Sequence, residues 1–254
     1  MKLKNNLLLL GGMIATSLTL SSCGDDKKAP DTAPGSNGGK AAMAAPALPA
    51  GDLVDVTPTY PKPMFIGTPV PTGDIPNLEK PDPEAVKARL TFKVPKGAEQ
   101  NVAKGKTVTS SDPLPIIGTL DLITDGDPDG ADGCYVELAP GPQWVQIDLG
   151  ASHDIWKILL WHFHKQTSIY FDVNIQVSDD KEFKTGVTTI YNNDHDDSSK
   201  LGKGEEKAYV ETNHGRLIEA KGVKGRYVRL NSNGNTANEM NHYIEVAVYG
   251  SPSK

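Results

Sequence analysis

From about residue 100 onward the chain alternates apolar and polar positions in short runs separated by Gly, Asp, Asn and Pro, the period of half-buried β-strands. In 143–149, Val145, Ile147 and Leu149 share one parity. In 243–249, Ile244, Val246 and Val248 occupy one face, and Tyr243, Glu245, Ala247 and Tyr249 the other. The pattern predicts strands over 107–110, 135–138, 143–149, 155–164, 170–178, 188–192, 208–212, 225–230 and 243–249, with almost no helical stripe. That spacing predicts an all-β jelly-roll β-sandwich over 98–254, long enough for one full core.

The N-terminal part follows other rules. Lys2 and Lys4 precede an apolar run from Leu7 to Leu20, too short to span a bilayer comfortably, and Leu20-Ser21-Ser22-Cys23 resembles the lipobox of bacterial lipoproteins. The resemblance implies a signal peptide over 1–22, cleaved before Cys23, which then carries the lipid. Gly24 after it points to the outer membrane of the bacterial cell envelope. From Gly24 to Ala50 the chain is rich in Pro, Ala and Gly, has no aromatic residue and is expected to be a disordered tether. The linker is expected to run over 23–97, its later part lying extended along the domain with one helical turn near Pro83 to Leu90.

Charge removes several classes of partner. The chain carries −6, and losing Lys2 and Lys4 takes it to −8, which argues against nucleic acid or anionic lipid; the membrane is met only through the anchor. Only Cys23 and Cys134 are present, so with Cys23 acylated no intramolecular disulfide forms. Cys134 among acidic neighbours is poorly placed for a nucleophile.

One stretch holds Asp125, Asp127, Asp129 and Asp132 within eight residues, and no Lys or Arg lies between Lys106 and Lys157. Carboxylates about 5 Å apart repel by roughly 3 kcal/mol per pair at an effective dielectric of about 20. A divalent cation among them is the economical answer, and oxygen ligands favour calcium. The alternative is a solvated acidic turn. The run D-x-D-x-D-G opens like an EF-hand loop, but its twelfth position is Val136 and no helices flank it.

Asn101-Val-Ala-Lys-Gly-Lys-Thr-Val-Thr-Ser-Ser111, the Asp125-Gly-Asp127 loop, Trp144-Val-Gln-Ile-Asp-Leu-Gly150, Ile175-Gln-Val-Ser-Asp-Asp180, Arg226-Tyr-Val-Arg-Leu230 and Tyr243-Ile-Glu-Val-Ala-Val-Tyr-Gly250 occur in register. Together they resemble the F5/8 type C, or discoidin, domain, used by bacteria as a galactose-binding-like carbohydrate module. The resemblance implies a structural calcium held by Asp125, Asp127 and Glu245, with Asp129 or Asp132 replacing a loop residue that this chain lacks. It also implies glycan binding rather than catalysis.

Two loops are rich in groups that pair with sugar hydroxyls, Asn192 to Asp197 and Asn231 to His242. Their candidates are Asn192, Asp194, His195, Asn233, Asn235 and His242, with Tyr191 or Tyr243 offering a ring face. The competing reading is that Asn, Asp and Gly simply build turns. His162 and His164, two apart on a predicted strand, point the same way, and with His195 or His242 they would make a transition-metal site and a metal-dependent enzyme. No G-x-S-x-G or H-E-x-x-H motif accompanies them. The sequence reads as an envelope-tethered, calcium-stabilised carbohydrate-binding module. A domain that binds another envelope protein is the alternative.

Overall fold

The computed structural model describes residues 51–67 and 74–254; the signal peptide, Cys23 and the tether to Ala50 lie outside them. The elements in order are β1 (Leu53–Val56), α1 (Pro83–Arg89), β2 (Phe92–Pro95), β3 (Thr107–Ser110), a 3-10 helix (Leu120–Thr124), β4 (Val136–Leu138), β5 (Gln143–Trp161), β6 (Asn174–Ser178), β7 (Thr188–Asn192), β8 (Arg216–Ser232), β9 (Asn241–Tyr243) and β10 (Glu245–Pro252). Every named strand pair is antiparallel, and the fold is an all-β jelly-roll sandwich.

Two long strands organise it. The first half of β5 lies between β3 and β8, and its second half between β10 and β8. The register breaks between Asp148 and His153, where the residues from Leu149 to Ser152 stand opposite Arg226 alone. An excess of residues on one strand bends the ladder, so β5 and β8 serve both layers. Val145, Ile147, Val228 and Leu230 from one half and Ile158, Leu160, Ile218 and Val246 from the other bury into one core.

The sequence separates 143–149 from 155–164, but they form one continuous strand. The apolar run Ile158-Leu-Leu-Trp161 has no polar face because both of its faces are covered. Ile158 and Leu160 enter the main core, while Leu159 and Trp161 enter a second cluster with Phe92, Val94, Ile244, Ala247 and Tyr249. The 216–224 part of β8 is missed because Lys221 and Gly222 adopt left-handed φ and interrupt the alternation. Conversely, 208–212 is not a strand: Ala208 makes one isolated bridge to Leu78 while Tyr209 enters the core.

The described parts of the Pro-rich segment pack against the sandwich. β1 pairs with β2, and β2 places Phe92 and Val94 over the outer face of the second layer, with the Phe92 and Tyr249 rings 5.0 Å apart. The expected helical turn is α1, with Pro83 in its first turn and the Asp82 carboxylate accepting from the Ala85 amide at 3.0 Å. Before α1, Asn77 and Glu79 hydrogen-bond the Ala208 backbone, and Glu79 accepts two bonds from Arg216 Nη1 at 2.9 and 2.8 Å. This strap sets Ile75 and Pro76 at the rim of a cavity they share with the segments that follow β5 and β7.

Candidate functional site

The aspartate loop meets the last strand as expected, but with a different charge balance. Glu245 is buried at 2% exposure; its Oε2 accepts from the Gly126 amide at 3.0 Å, and its Oε1 is buried without a partner. Burial pushes its carboxyl up to about 8, and Asp125 adds to the rise while the Gly126 amide and Lys104 oppose it. Gly126 has φ +90, and an added Cβ would meet Lys104 Cε and Nζ at 2.9 Å, so that ammonium lies over the loop. Asp129 Oδ2 faces Lys165 Nζ at 3.4 Å. Cations from outside the 106–157 window thus reach the carboxylates, and a metal is not required to relieve their repulsion.

The four predicted ligands do not gather as a set. Asp125 Oδ1 accepts from the Asp127 amide at 2.8 Å, and Asp127 Oδ1 from the Asp129 amide at 3.0 Å. These bonds close consecutive Asx turns. Among the described residues, Asp125, Asp127, Asp129 and Glu245 do not bring three ligand atoms within 4.8 Å of one another. Asp125 and the orphaned Glu245 Oε1 remain suited to a cation completed by backbone carbonyls, whereas Asp127 and Asp129 are engaged elsewhere.

Each of the paired histidines has one ring nitrogen bonded within the protein. His162 is fully buried, its Nδ1 2.6 Å from Glu211 Oε1 and its ring stacked 4.2 Å from Tyr170. His164 Nε2 donates to the Pro128 carbonyl at 2.9 Å, tying the aspartate loop to the chain after β5. His195 is exposed in another loop, and no histidine joins a metal-ligating cluster among the described residues. The transition-metal alternative gains no support: β5 ends at Trp161, so strand parity does not pair His162 with His164, and although His162 Nε2 and His164 Nδ1 are each buried without a partner, no third ligand gathers with them among the described residues.

Several predicted sugar-binding residues also turn inward. Asn235 donates through Nδ2 to Asn238 Oδ1 and the Met240 carbonyl, and its Oδ1 accepts from the Ala237 and Asn238 amides, so it shapes its own loop. Asn192 does the same for the next loop, through Gly202 and Asp194. The Tyr243 ring is fully buried with its hydroxyl 3.0 Å from Ser232 Oγ, and Tyr191 is buried with its hydroxyl donating to the Lys207 carbonyl, so neither offers a ring face. His242 bridges the buried Tyr170 and the partly buried Glu137: the Tyr170 hydroxyl lies 2.7 Å from Nδ1, and Nε2 lies 2.9 Å from Glu137 Oε2.

What remains converges at one end of the sandwich. The chain after β5 and the loop after β8 pair through Phe171 N to Gly234 O, Asn233 N to Phe171 O and Thr236 N to Ile169 O, each at 3.0 or 3.1 Å. A cavity of about 220 Å³ beside this ladder is lined by Phe171, Asp172, Asn193, His195, Asp196 and Asn233, with Ile75 and Pro76 of the strap forming one wall. An adjoining open cavity of about 570 Å³ shares Phe171 and Asn233 and extends to Glu239. Asp172 sits at φ 53, and its Oδ2 accepts from Ser198 Oγ and Asn233 Nδ2, both at 2.8 Å. Burial would raise the Asp194 carboxyl, but donors on Ser199 and Ser198 outweigh it and hold it below its ordinary value. Asn193 Oδ1 accepts from the Val173 amide at 2.7 Å, which fixes the amide orientation, and its buried Nδ2 has no partner.

Residues 122–230 match the F5/8 type C family model described as a NedA-like, galactose-binding domain. No relative among curated proteins matches the chain. Among solved structures, a family 89 glycoside hydrolase from Clostridium perfringens aligns at 22% identity and TM-score 0.46, covering 61% of this chain and 15% of that one. The chain therefore spans a small part of that enzyme's length. The CBM32 of AlyQ in complex with 4,5-unsaturated mannuronic acid aligns at 19% identity and TM-score 0.41, covering 56% of this chain and 93% of that one. A Streptococcus pneumoniae fucose binding module, SpX-3, aligns at 19% identity and TM-score 0.40, covering 59% and 97%.

Of the predicted residues, Asp194, His195 and Asn233 come together here, and Asp172, which the loop composition does not single out, joins them. Phe171, Asn193, Asp196 and the strap were missed. Asn193 and Asp196 lie within the very loop singled out, but nothing in its sequence distinguishes inward from outward side chains. The strap's role has no local signal at all.

The His242 bridge carries a pH dependence. Burial holds its imidazole below the ordinary value, with His162 adding to the shift and Glu137 opposing it. Tyr170, whose pKa burial raises well above its ordinary value, stays protonated and donates to Nδ1, so Nε2–H donates to Glu137. A depressed folded-state value means that the contribution is present above the unfolded value of about 6.5 and is lost progressively as pH falls from there through the lower folded value. Melting temperature should therefore fall more steeply from pH 7 to pH 5 in the wild type than in His242→Gln, whose amide keeps one donor and one acceptor. Parallel melting-temperature profiles for the two proteins would show that His242 does not titrate with unfolding.

Proposed function

We propose that this domain is a carbohydrate-binding module, held on a bacterial cell envelope by a lipid on Cys23, that takes a glycan in the paired cavities around Phe171. The carrying observation is the convergence of Asp172, Asn193, His195, Asp196 and Asn233 on a partly buried aromatic ring. An apolar surface with a few oriented polar groups suits a sugar ring, whose faces are apolar and whose edge carries hydroxyls. The match of residues 122–230 to a galactose-binding domain model supports the same reading. Binding is favoured over catalysis by the local bonding: Ser198 Oγ donates to Asp172 rather than to His195. A protein partner is the second reading, favoured by the half-exposed run Met64, Phe65 and Ile66.

The glycan reading is tested by screening the full chain against immobilised neutral hexosides, amino sugars and uronates. Phe171→Ala and Asn193→Ala should each weaken the binding found by roughly five- to 140-fold, since a lost buried contact costs about 1–3 kcal/mol and about 1.4 kcal/mol is a factor of ten. Asn235→Ala should act through loop stability instead. Full affinity in both of the first two variants would place the site elsewhere, and a blank screen would favour the protein partner.

Calcium is proposed at Asp125 and Glu245, where it would neutralise a buried carboxylate that otherwise lacks a partner for Oε1. An ion that binds only the folded form at a hundredfold above its dissociation constant adds about 2.7 kcal/mol, worth roughly 5–11 °C in a domain of this size. Chelator should lower the melting temperature by that order, and Glu245→Gln should lose most of the response. Coincident melts of metal-stripped and calcium-loaded wild type would reject the site.

The anchor makes a separate prediction, because no described helix is long and apolar enough to cross a membrane. Cys23→Ala should leave membranes in a high-salt wash that retains the wild type; retention of the variant would refute lipidation.

A further inference from the structure

Asp172, Asp194 and Asp196 each offer a carboxylate oxygen, and these three atoms lie within 4.8 Å of one another. Asp194 is fully buried, Asp172 nearly so, and Asp196 is exposed at the mouth. No lysine or arginine pairs with any of them among the described residues, unlike the Asp125 loop with its two ammonium groups. Asn193 is 5% exposed and lines the same cavity, and its unpartnered Nδ2 is a donor with no protein acceptor. Asp172 and Asp196 line this cavity with Asn193, while Asp194 behind them accepts from the Ser198 amide and from the Ser199 amide and hydroxyl, and Asp196 from the Ser198 amide, so neutral donors orient the carboxylates and leave their charge uncompensated.

We propose that Asp172, Asp194 and Asp196 bind a calcium-class divalent cation, and that a water on this ion, facing Asn193, is exchanged for a glycan hydroxyl. Oxygens 2.3–2.6 Å from one ion lie up to roughly 5 Å apart, which accommodates the cluster. Calcium takes 6–8 oxygens in irregular geometry, so three carboxylates leave positions for water and for vicinal hydroxyls; magnesium demands a regular octahedron and gives up water reluctantly. The cation part stands on this cluster alone, whereas the hydroxyl part rests on the glycan reading.

The test titrates calcium chloride into the metal-stripped full chain by calorimetry with no sugar present. Two binding events are expected in the wild type. Asp196→Asn, which alters an exposed side chain, should lose one of them, and so should Asp172→Asn, while Glu245→Gln should lose the other. Equal stoichiometry and affinity in the wild type and both aspartate variants, with unchanged melting temperatures, would overturn the site. For a glycan found by the screen, removing calcium should raise its dissociation constant at least tenfold in Glu245→Gln but leave Asp196→Asn, already weakened, unchanged. Glycan affinity indifferent to calcium, beside a normal cation titration, would overturn the hydroxyl bridge alone. A blank glycan screen with an Asp196-dependent cation event would reject the glycan reading and support the cation site.

Discussion

The antiparallel pairing of β5 with β8 is the constraint on which the rest of the structure depends. Because the two strands run together through both layers, their bend near Gly150 sets where each layer ends, and every loop at the Phe171 end starts or finishes on strands they template. β6 lies on the β8 half that carries Val228 and Leu230, and β7 lies on β6, so Asn174 and Asn192 arrive side by side. Asp172 and Asn193, each one or two residues beyond those ends, are neighbours for that reason, though twenty positions separate them along the chain. Exposed loops can hold a geometry this defined only where a packed sheet fixes both ends of each one.

The strand pattern was legible wherever one face is solvated. Val145, Ile147 and Leu149 alternate with Trp144, Gln146 and Asp148 on the other face, where Trp144 and Asp148 are partly exposed and Gln146 is covered by Arg229, so their register could be read directly. It was unreadable where both faces are covered, as at Leu159 and Trp161 under Phe92 and Val94, or where a bulge breaks parity, as at Lys221 and Gly222. The same physics explains the strap. Pro and polar residues between Pro58 and Pro95 look like linker, and what makes them structure is the external partner, Arg216 for Glu79 and the Ala208 backbone for Asn77 and Glu79. The candidate site was partly legible: loop composition located it, but burial then assigned Asn235, Asn192 and His242 to holding the loops in shape.

Charge shows the clearest gap between one dimension and three. Along the sequence, the Asp125 loop is the region most deprived of cations, yet Lys104 and Lys165 come to it in space. The aspartates after β7 have His195 and Lys200 beside them along the chain. Lys200 instead donates to the Asp197 carbonyl, and Asp172 joins from another loop to raise the negative density. A linear window counts charges that are free to point anywhere, whereas a fold decides which of them share a low-dielectric space.

The two acidic centres therefore differ in kind. Around Glu245 the ligand atoms are mostly committed to Asx turns and to a backbone amide, the cations are at hand, and one orphaned oxygen is what a bound ion would satisfy. Such a centre joins an early loop to the last strand, so an ion there acts on stability. Around Asp172 the carboxylates are held by serine and asparagine donors rather than by opposite charge, and they open onto a cavity walled by Phe171 and the strap. Hydrogen bonds from neutral donors fix a carboxylate's direction without cancelling its charge, which leaves the field available to whatever enters. A site built this way contributes little to folding and retains its electrostatic free energy for a ligand, which is the arrangement a recognition surface requires.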